Sequence, residues 1–572
     1  ICDQGGECDL QDQAMAYGRS YSRYDEAKRA VEDKYMGPVI KTAMTRCIQC
    51  TRCIRFADEV AGTPEIGMLY RGEDSQVTTY LEKALTSELA GNLADICPVG
   101  ALLQRPQSFE SRPWELRKVP GIDVMDAVGS NIRFDVRQRQ VMRILPRVNE
   151  AVNEEWIHDK TRHHVDALVR NRLDRPWLRD KSGKLREASW PEALQAFAGK
   201  LKAAGKKVAA IAGDLLDAET MYAARKLLEG QGSTLLEGRQ TGLDYDISSL
   251  AALRFNTPIA ELENADAILL VGTNPRLEAP LVNTRLRKAA RKGAQVFAIG
   301  PVADLAFPVT WLGDDLSLLG KLPDAFDRAE RPVMIVGPGA LAAGALGAAL
   351  KASSPFIKDG PSTVSGQGWN GFNVLHISAA RMAGLILGYA QTGGLADIEK
   401  AKPELVLLLG ADEVPDGKFA GAYKVYIGHH GDRGAASADL VLPGAAYSEK
   451  HGTWVNVEGR VQRGERAVFP PGDAREDWAI LRAVSELLGR PLPFDSFDQL
   501  RGAMAADFPY LGIDGVIDMA WSPPKLDAKA EGPVAYPIRD FYLTNAICRA
   551  SPTMRRCSEE LVHGVSYQEA AE

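Results

Sequence analysis

The stretch T-R-C-I-Q-C-T-R-C-I-R-F, residues 45–56, decides how the first hundred residues are built. It places Cys47, Cys50 and Cys53 at C-x2-C-x2-C, a spacing so short that the three thiols cannot move apart. The loop therefore has to wrap them around one centre. Cys97, in the segment C-P-V-G, supplies a fourth thiol from a distance, and the proline after it ends the local helix and fixes the turn.

Three adjacent thiols and a remote Cys-Pro are typical of the ligand set of one [4Fe–4S] cluster. Structural zinc is the alternative, although zinc sites usually combine two separated pairs of ligands. Arg46, Arg52 and Arg55 lie among the cysteines. These arginines either help to set the reduction potential of a negatively charged cluster or form a solvated helix face, and the sequence does not separate the two interpretations.

The distribution of the cysteines favours metal binding over disulfides. Six of the eight lie within the first hundred residues, and none lies between Pro98 and Ile547. A disulfide framework is typical of short secreted chains instead. Cys548 and Cys557, at C-x8-C, match no metal spacing, and we expect them to be buried or free thiols.

Cys2 and Cys8 form a second N-terminal pair, spaced C-x5-C. Gly5-Gly6 between them lets the backbone turn tightly. Two cysteines do not complete a cluster, so either further ligands precede Ile1 or the pair is a redox or inert pair. Because the chain opens with Ile1 and not with methionine, we expect a fragment or a processed form.

The whole chain has the composition of a globular protein of several domains. It has 572 residues, 45% apolar and 25% charged, and about three to five domains are expected at roughly 100–200 residues each. The net charge of −7 gives no positive surface for nucleic acid. The uncharged stretch 332–350 contains Gly337-Pro338-Gly339, which predicts a strand, a turn and an Ala-rich helix. Contact with a membrane is therefore expected only through partners.

The long body beyond residue 170 repeats one pattern, in which a short apolar run ends in glycine and leads into a helical or polar stretch. The pattern predicts buried parallel strands in βαβ units with helices on both faces. No G-x-G-x-x-G follows these runs, which disfavours a dinucleotide site. The runs lie at 208–213, 267–275, 295–301, 333–339, 405–412 and 423–428.

Histidines in the body do not form a recognisable catalytic motif. His376, His451 and the pair His429-His430 have no nucleophile or ligand partner nearby in sequence, so we expect them to be hydrogen-bonded or surface residues.

The cysteine motifs and several longer segments together resemble one family, the large (G-type) iron–sulfur subunit of respiratory complex I, the NADH:quinone oxidoreductase. The tail looks like the mitochondrial and α-proteobacterial branch of that family. The segments are G-I-D-V-M-D-A-V-G-S-N-I-R (121–133), N-E-E-W-I-H-D-K-T-R (153–162), G-W-N-G-F-N-V-L-H (368–376) and D-F-Y-L-T-N-A-I-C-R-A-S (540–551).

The resemblance implies an α/β chain of four parts. Residues 1–115 would be a ferredoxin-like iron–sulfur domain, and residues 116–172 a small β-rich domain like a [4Fe–4S] molybdoenzyme domain without its cluster. Residues 173–490 look like the body of a molybdopterin oxidoreductase, and residues 491–572 would be a C-terminal extension.

The resemblance also implies the cofactors. Cys47, Cys50, Cys53 and Cys97 would ligate one [4Fe–4S] cluster. Cys2 and Cys8 match two ligands of a second, whose remaining His and Cys would precede Ile1. A [2Fe–2S] cluster is expected in the missing N-terminal part, and no molybdopterin is expected.

The function implied is that of an electron-transfer subunit of the proton-pumping enzyme, without catalytic residues of its own. Its partners would be the flavin- and NADH-binding subunit and the quinone-side iron–sulfur subunits. The chain would lie peripherally on the inner membrane, on the cytoplasmic side in bacteria or the matrix side in mitochondria. The alternative is a subunit of a molybdopterin-dependent enzyme like formate dehydrogenase.

The sequence departs from the family's pattern in one respect. Some bacterial members bind an extra cluster through C-x2-C-x3-C and a distant cysteine, and the matching positions here hold Asp123, Asp126, Ser130 and His158. None is a thiol, so we expect that cluster to be missing. We do not expect an Asp/His metal site in its place, although the residue types allow one.

Overall fold

Two mostly parallel β-sheets form the centre of the body, as the glycine-ended apolar runs predict. The computed structural model describes residues 2–362, 366–527 and 529–565. The end of the predicted extension, 566–572, and the chain start at Ile1 lie outside these residues.

The strands are short and occur throughout the chain. They are β1 (Ile40–Thr42), β2 (Ile66–Leu69), β3 (Gln76–Thr79), β4 (Leu102–Gln104), β5 (Arg117–Ile122), β6 (Asn131–Arg137), β7 (Gln140–Pro146), β8 (Trp177–Arg179), β9 (Leu185–Glu187), β10 (Val208–Ala212), β11 (Leu235–Glu237), β12 (Ala267–Val271), β13 (Gln295–Ile299), β14 (Thr310–Gly313), β15 (Pro332–Val336), β16 (Ile357–Ser362), β17 (Gln367–Asn370), β18 (Phe372–Val374), β19 (Leu405–Leu409), β20 (Tyr423–Gly428), β21 (Leu440–Pro443), β22 (Gly452–Val455), β23 (Arg460–Gly464) and β24 (Gly515–Val516).

The α-helices are longest in the body. They are α1 (Asp9–Tyr17), α2 (Arg52–Arg55), α3 (Asn92–Ile96), α4 (Asp159–His163), α5 (Trp190–Ala204), α6 (Ala218–Gln231), α7 (Pro275–Glu278), α8 (Pro280–Arg291), α9 (Ala325–Arg328), α10 (Pro338–Ala342), α11 (Leu346–Lys351), α12 (Arg381–Ile386), α13 (Gly394–Lys400), α14 (Arg433–Ser437), α15 (Asp477–Leu487), α16 (Phe497–Asp507), α17 (Ala546–Ala550) and α18 (Pro552–Cys557).

The larger sheet has the strand order β11-β10-β19-β20-β21-β8-β9, and the smaller one β14-β13-β12-β15-β18. All neighbours are parallel except at one edge, where β8 pairs antiparallel with β21 and with β9. Strands β10, β12, β15 and β19 are buried at every residue. Helices on both faces account for this burial and for the continuous apolar runs.

Close packing explains the glycine at the end of two of these runs. A β-carbon on Gly213 would stand 1.9 Å from the carbonyl oxygen of Gly410, so the ends of β10 and β19 approach backbone to backbone. Gly272, after β12, has a φ of +56°, and a β-carbon there would stand 2.4 Å from the backbone nitrogen of Ala340 in α10. A side chain at either position would push the elements apart.

The uncharged stretch 332–350 folds as predicted, into strand β15, a turn and the Ala-rich helices α10 and α11. No helix among the described residues combines the length and the apolar character that a membrane crossing requires.

The N-terminal hundred residues contain only short elements, and a small antiparallel sheet of β5, β6 and β7 follows them. The segment at α4 joins the two regions. Asp159 accepts a hydrogen bond from the backbone N–H of Gly91 (2.6 Å), and Arg162 donates to Asn92 (3.0 Å) and Asp95 (2.6 Å). These contacts hold α3, the helix that directly precedes Cys97.

The C-terminal helices return to the same region. Asp166, just after α4, accepts hydrogen bonds from Ser551 Oγ (2.5 Å) and from the backbone N–H of Thr553 (3.0 Å). The observed architecture confirms the predicted α/β class, whereas the exact domain limits at residues 115, 172 and 490 stay predictions.

Candidate iron–sulfur site

Cys47, Cys50, Cys53 and Cys97 converge on one recess. Cys47 ends a short 3₁₀ turn, Cys53 lies in α2 and Cys97 directly follows α3. The loop between them curls sharply, because Gln49 and Thr51 both adopt left-handed backbone conformations with φ of 56° and 62°. Non-glycine residues rarely adopt this conformation, and it is often retained where a loop encloses a ligand.

The recess is apolar and partly closed. Met44, Val77, Val99 and Leu102 line it together with the four cysteines. Cys53 and Cys97 are buried, Cys47 is half-buried and Cys50 is exposed. No three of the four sulfurs all lie within 4.8 Å of one another. The one group of ligand atoms in the described chain that meets this distance lies elsewhere.

The electrostatics of the recess disfavour free thiolates. Burial and the neighbouring thiols raise the pKa of Cys53 to about 12. Burial also raises the pKa of Cys97, although backbone N–H groups of Val99, Leu102 and Ala101 oppose the shift. A charged sulfur would accept hydrogen bonds from these amides. A positive iron core would reverse both shifts because metal coordination deprotonates a thiol.

Cys2 and Cys8 lie against the loop that directly follows Cys97. Cys8 caps α1 by accepting the N–H of Gln11 at 3.5 Å, and its sulfur is 3.8 Å from the carbonyl oxygen of Pro98. The sulfur of Cys2 packs on Gly100 so closely that a β-carbon there would be 2.2 Å away. The structure therefore brings this pair beside Cys47, Cys50, Cys53 and Cys97, the Cys47 quartet. The spacing of the cysteines in the sequence did not predict this proximity.

The three flanking arginines do not act as one group. Arg46 donates to the carbonyl oxygen of Gly100 at 3.4 Å, within the loop shared by both cysteine sets. Arg52 lies 3.9 Å from Asp9 and Arg55 pairs with Glu59, both on the exposed side.

The remaining cysteines and histidines have structural surroundings. Cys548 and Cys557 are fully buried and unpaired, as predicted. His376 contacts the carbonyl oxygen of Leu253 through Nε2 (2.7 Å), and His430 that of Ala167 (3.0 Å). His429 contacts His430, and His451 stacks on Phe497.

Asp159 and Arg162 form a clamp on α3 that was not predicted from the sequence. Both are buried charged residues that hold the helix before Cys97. The signal was the run W-I-H-D-K-T-R-H-H at 156–164, which is too short and too polar to be recognised as a buried helix from periodicity.

Four family models match consecutive parts of the chain. They are "NADH-quinone oxidoreductase subunit 3, ferredoxin-like domain" over residues 37–103, "NADH-ubiquinone oxidoreductase NDSU1/NuoG-like, 4Fe-4S domain" over 116–166, "Molybdopterin oxidoreductase" over 172–487 and the C-terminal model of the G-type subunit of NADH-ubiquinone oxidoreductase over 521–557.

Similar proteins align over almost the whole chain. The mitochondrial 78 kDa subunit of NADH-ubiquinone oxidoreductase from Neurospora crassa is 46% identical over 98% of this chain and 78% of its own length. The G-type subunit of NADH-quinone oxidoreductase from Rickettsia bellii is 44% identical, over 98% and 83%. Acetylene hydratase from Pelobacter acetylenicus shares the fold, with a TM-score of 0.50 and 11% identity over 77% of this chain and 78% of its own.

The fold and the cysteine sites define the class as an iron–sulfur oxidoreductase subunit built on the molybdopterin oxidoreductase fold. Within that class the chain belongs to the family of the large, G-type iron–sulfur subunit of NADH–quinone oxidoreductase, respiratory complex I. The predicted family and fold class are confirmed.

Proposed function

We propose that this chain relays single electrons between the NADH side and the quinone side of its oxidoreductase through two [4Fe–4S] clusters. The observation that carries the proposal is the recess in which Cys47, Cys50, Cys53 and Cys97 face one another. The clusters supply one-electron redox chemistry, and the chain has only to hold, bury and tune them.

The spacing of the four sulfurs supports a cluster over zinc. Zinc–sulfur bonds of about 2.3 Å in a tetrahedron place the sulfurs roughly 3.8 Å apart. No three of the four sulfurs lie within even 4.8 Å of one another. A larger iron–sulfur core suits this wider arrangement, and the backbone amides after Cys97 suit its charged sulfurs.

Cys2 and Cys8 are proposed as half of the second ligand set, completed by His and Cys residues upstream of Ile1. Their position supports this role because Pro98 and Gly100 contact them directly after Cys97. The same short loop would then lie between the two clusters and would supply the path for electron transfer between them.

We further propose that the body binds no molybdopterin. In open α/β sheets, ligands bind at the carboxyl ends of the strands. At the ends of β10, β19, β20 and β21 the cavity lined by Gly410, His429, Lys450 and Asp477 measures about 20 Å³. Pockets for ligands of drug size measure roughly 300–1,000 Å³. Lys450 fills the edge by pairing with Asp217 (2.5 Å) and Asp477 (2.6 Å).

Family membership supports the remaining assignments. We propose that the partners are the flavin- and NADH-binding subunit and the quinone-side iron–sulfur subunits, and that the chain lies peripherally on the cytoplasmic or matrix side of the inner membrane. An upstream domain with a [2Fe–2S] cluster is part of the same proposal.

Replacing Cys47 with alanine tests the cluster assignment. One [4Fe–4S] signal should disappear from the electron paramagnetic resonance spectrum, with about four iron atoms lost per chain. Cys557→Ala, which removes a buried thiol outside the recess, is the matched control and should keep both the signal and the iron. A spectrum and iron content unchanged by Cys47→Ala, or a colourless protein loaded with zinc, would overturn the proposal.

A further inference from the structure

Asp123, Asp126 and His158 meet inside the small β-rich region. The two aspartates lie in the loop between β5 and β6, and His158 directly precedes α4. One carboxylate oxygen of each aspartate and one ring nitrogen of the histidine all lie within 4.8 Å of one another. The three side chains are 0%, 2% and 0% exposed. This geometry differs from the expectation that these residues form no metal site.

Several of the polar atoms in this cluster form no hydrogen bond in the described part of the chain, apart from the contacts of the two carboxylates with His158. They are Oδ2 of Asp123, Oδ2 of Asp126 and the hydroxyl of Ser130, which is also fully buried. Asp123 and Ser130 face each other across the loop, joined by a backbone hydrogen bond of 2.8 Å. Native proteins rarely leave buried oxygens without partners, and burying two carboxylates together is costly without a cation.

The neighbouring cations are engaged elsewhere. Lys160 donates to Thr544 (3.0 Å) and lies over the ring of Phe541. Arg133 on β6 and Arg143 on β7 both pair with Asp135 of β6 (2.8 Å each). The pair of carboxylates therefore faces a histidine, not a lysine or an arginine.

We propose that Asp123, Asp126 and His158 bind one divalent transition-metal ion, and that Zn²⁺ fits them best. Nε2 of His158 lies 3.5 Å from Oδ2 of Asp123 and 3.2 Å from Oδ2 of Asp126. Ligands at about 2.0–2.1 Å from a tetrahedral zinc ion are roughly 3.3 Å apart. The hydroxyl of Ser130 or a water completes the coordination. Imidazole and carboxylate ligands without sulfur suit zinc and its neighbours and not an iron–sulfur cluster.

Thr161 positions the ring of His158. Nδ1 accepts the backbone N–H of Thr161 at 3.1 Å, which leaves Nε2 to face the two carboxylates. The hydroxyl of Thr161 lies 3.1 Å from both ring nitrogens. A backbone contact of this kind fixes the orientation of a histidine ligand.

The ion would join two parts of the chain. The loop 123–130 belongs to the small sheet, and His158 begins the segment that holds α3 before Cys97. The region 116–166 matches a domain model described as a 4Fe-4S domain, yet it contains no cysteine. The region thus contains a set of convergent ligands close enough to hold one metal ion, made of carboxylates and imidazole and not of thiols.

Zinc analysis and X-ray absorption at the zinc edge test the site in the full chain, with its clusters assembled under anaerobic conditions and weakly bound metal removed by a chelator. The wild type should retain about one zinc per chain, with a first shell of nitrogen and oxygen at about 2.0–2.1 Å and no sulfur. His158→Gln and Asp126→Asn should lower zinc retention at least five-fold while the signal of the Cys47 quartet remains.

Asp135→Asn is the matched control, since Asp135 is a buried carboxylate of the same sheet that pairs with arginines. It should keep the zinc. A wild-type protein without zinc, a zinc shell made of sulfur, or equal zinc in His158→Gln would overturn the proposal. If the variants fail to fold, the shell measured on the wild type still decides. Loss of the cluster signal in Cys47→Ala with zinc retained would separate this site from the proposed electron relay.

Discussion

The sulfur of Cys2 packs directly against Gly100, the third residue after Cys97, and a β-carbon at position 100 would stand 2.2 Å from it. The two cysteine sets therefore lie next to each other, and Gly100 is the point of contact between them. Gly100→Ala should displace Cys2 and abolish the second cluster, the one proposed for Cys2 and Cys8, which is measurable as loss of its paramagnetic signal.

Gly67→Ala is the control for this change, because no atom lies within 4 Å of the β-carbon it would add. It should leave both signals intact. A full signal from the second cluster in Gly100→Ala would show that Cys2 does not need its present position.

The clamp on α3 predicts that Arg162 protects the quartet. Arg162 is fully buried, and one nitrogen of its planar guanidinium donates to both Asn92 and Asp95. A lysine carries its charge on a flexible stem and does not hold the donors in this planar group. Arg162→Lys should weaken the local structure by about 1.5–3 kcal/mol, the cost of charge-assisted hydrogen bonds, and iron should leave the quartet faster in a chelator assay. Arg175→Lys, at an exposed ion pair, should have no such effect.

The buried ion triad of Lys450, Asp217 and Asp477 predicts a large loss of stability on substitution. Lys450→Met leaves two carboxylates without their cation, so the free energy of unfolding should fall by about 3–5 kcal/mol. Adding Asp217→Asn and Asp477→Asn to that variant should recover much of the loss, as measured by urea denaturation. A single variant as stable as the wild type would contradict the pairing.

The burial of His376 predicts how the stability of the fold depends on pH. Burial lowers the pKa of His376 from 6.5 to about 3, so below pH 6.5 the unfolded chain binds a proton that the folded chain does not. Stability from this residue is complete above pH 6.5 and falls by about 1.4 kcal/mol per pH unit as the pH drops towards 3. His376→Gln should lack this part of the acid sensitivity in urea titrations at pH 7 and pH 5.

The half-buried His451 gives the control, and His451→Gln should retain the acid sensitivity of the wild type. If His376→Gln loses stability as steeply as the wild type between pH 7 and pH 5, the histidine is protonated in the folded chain.

Local patterns predicted the parts of the fold that depend on neighbouring residues. The apolar runs at β10, β12 and β19 predicted parallel strands because full burial requires apolar residues at every position. The C-x2-C-x2-C loop predicted its own convergence because three close thiols have one way to face a common centre.

Relations across long distances in the chain were not predictable in the same way. Nothing local to Cys2 indicates that Gly100 will cover it, and nothing local to Asp123 shows that His158 will lie 3.5 Å away. The antiparallel edge formed by β8 was also not predicted from the sequence, since a strand of three half-buried residues has no distinctive pattern.

The triad around Lys450 has a consequence for how this body can change over evolutionary time. An edge occupied by three interlocked charges has no neutral single step to an open cleft, because removing any one of them leaves an unbalanced charge in the interior. Opening a ligand pocket there would require coordinated substitutions that also create several hundred Å³ of space, roughly the volume of a small-molecule pocket.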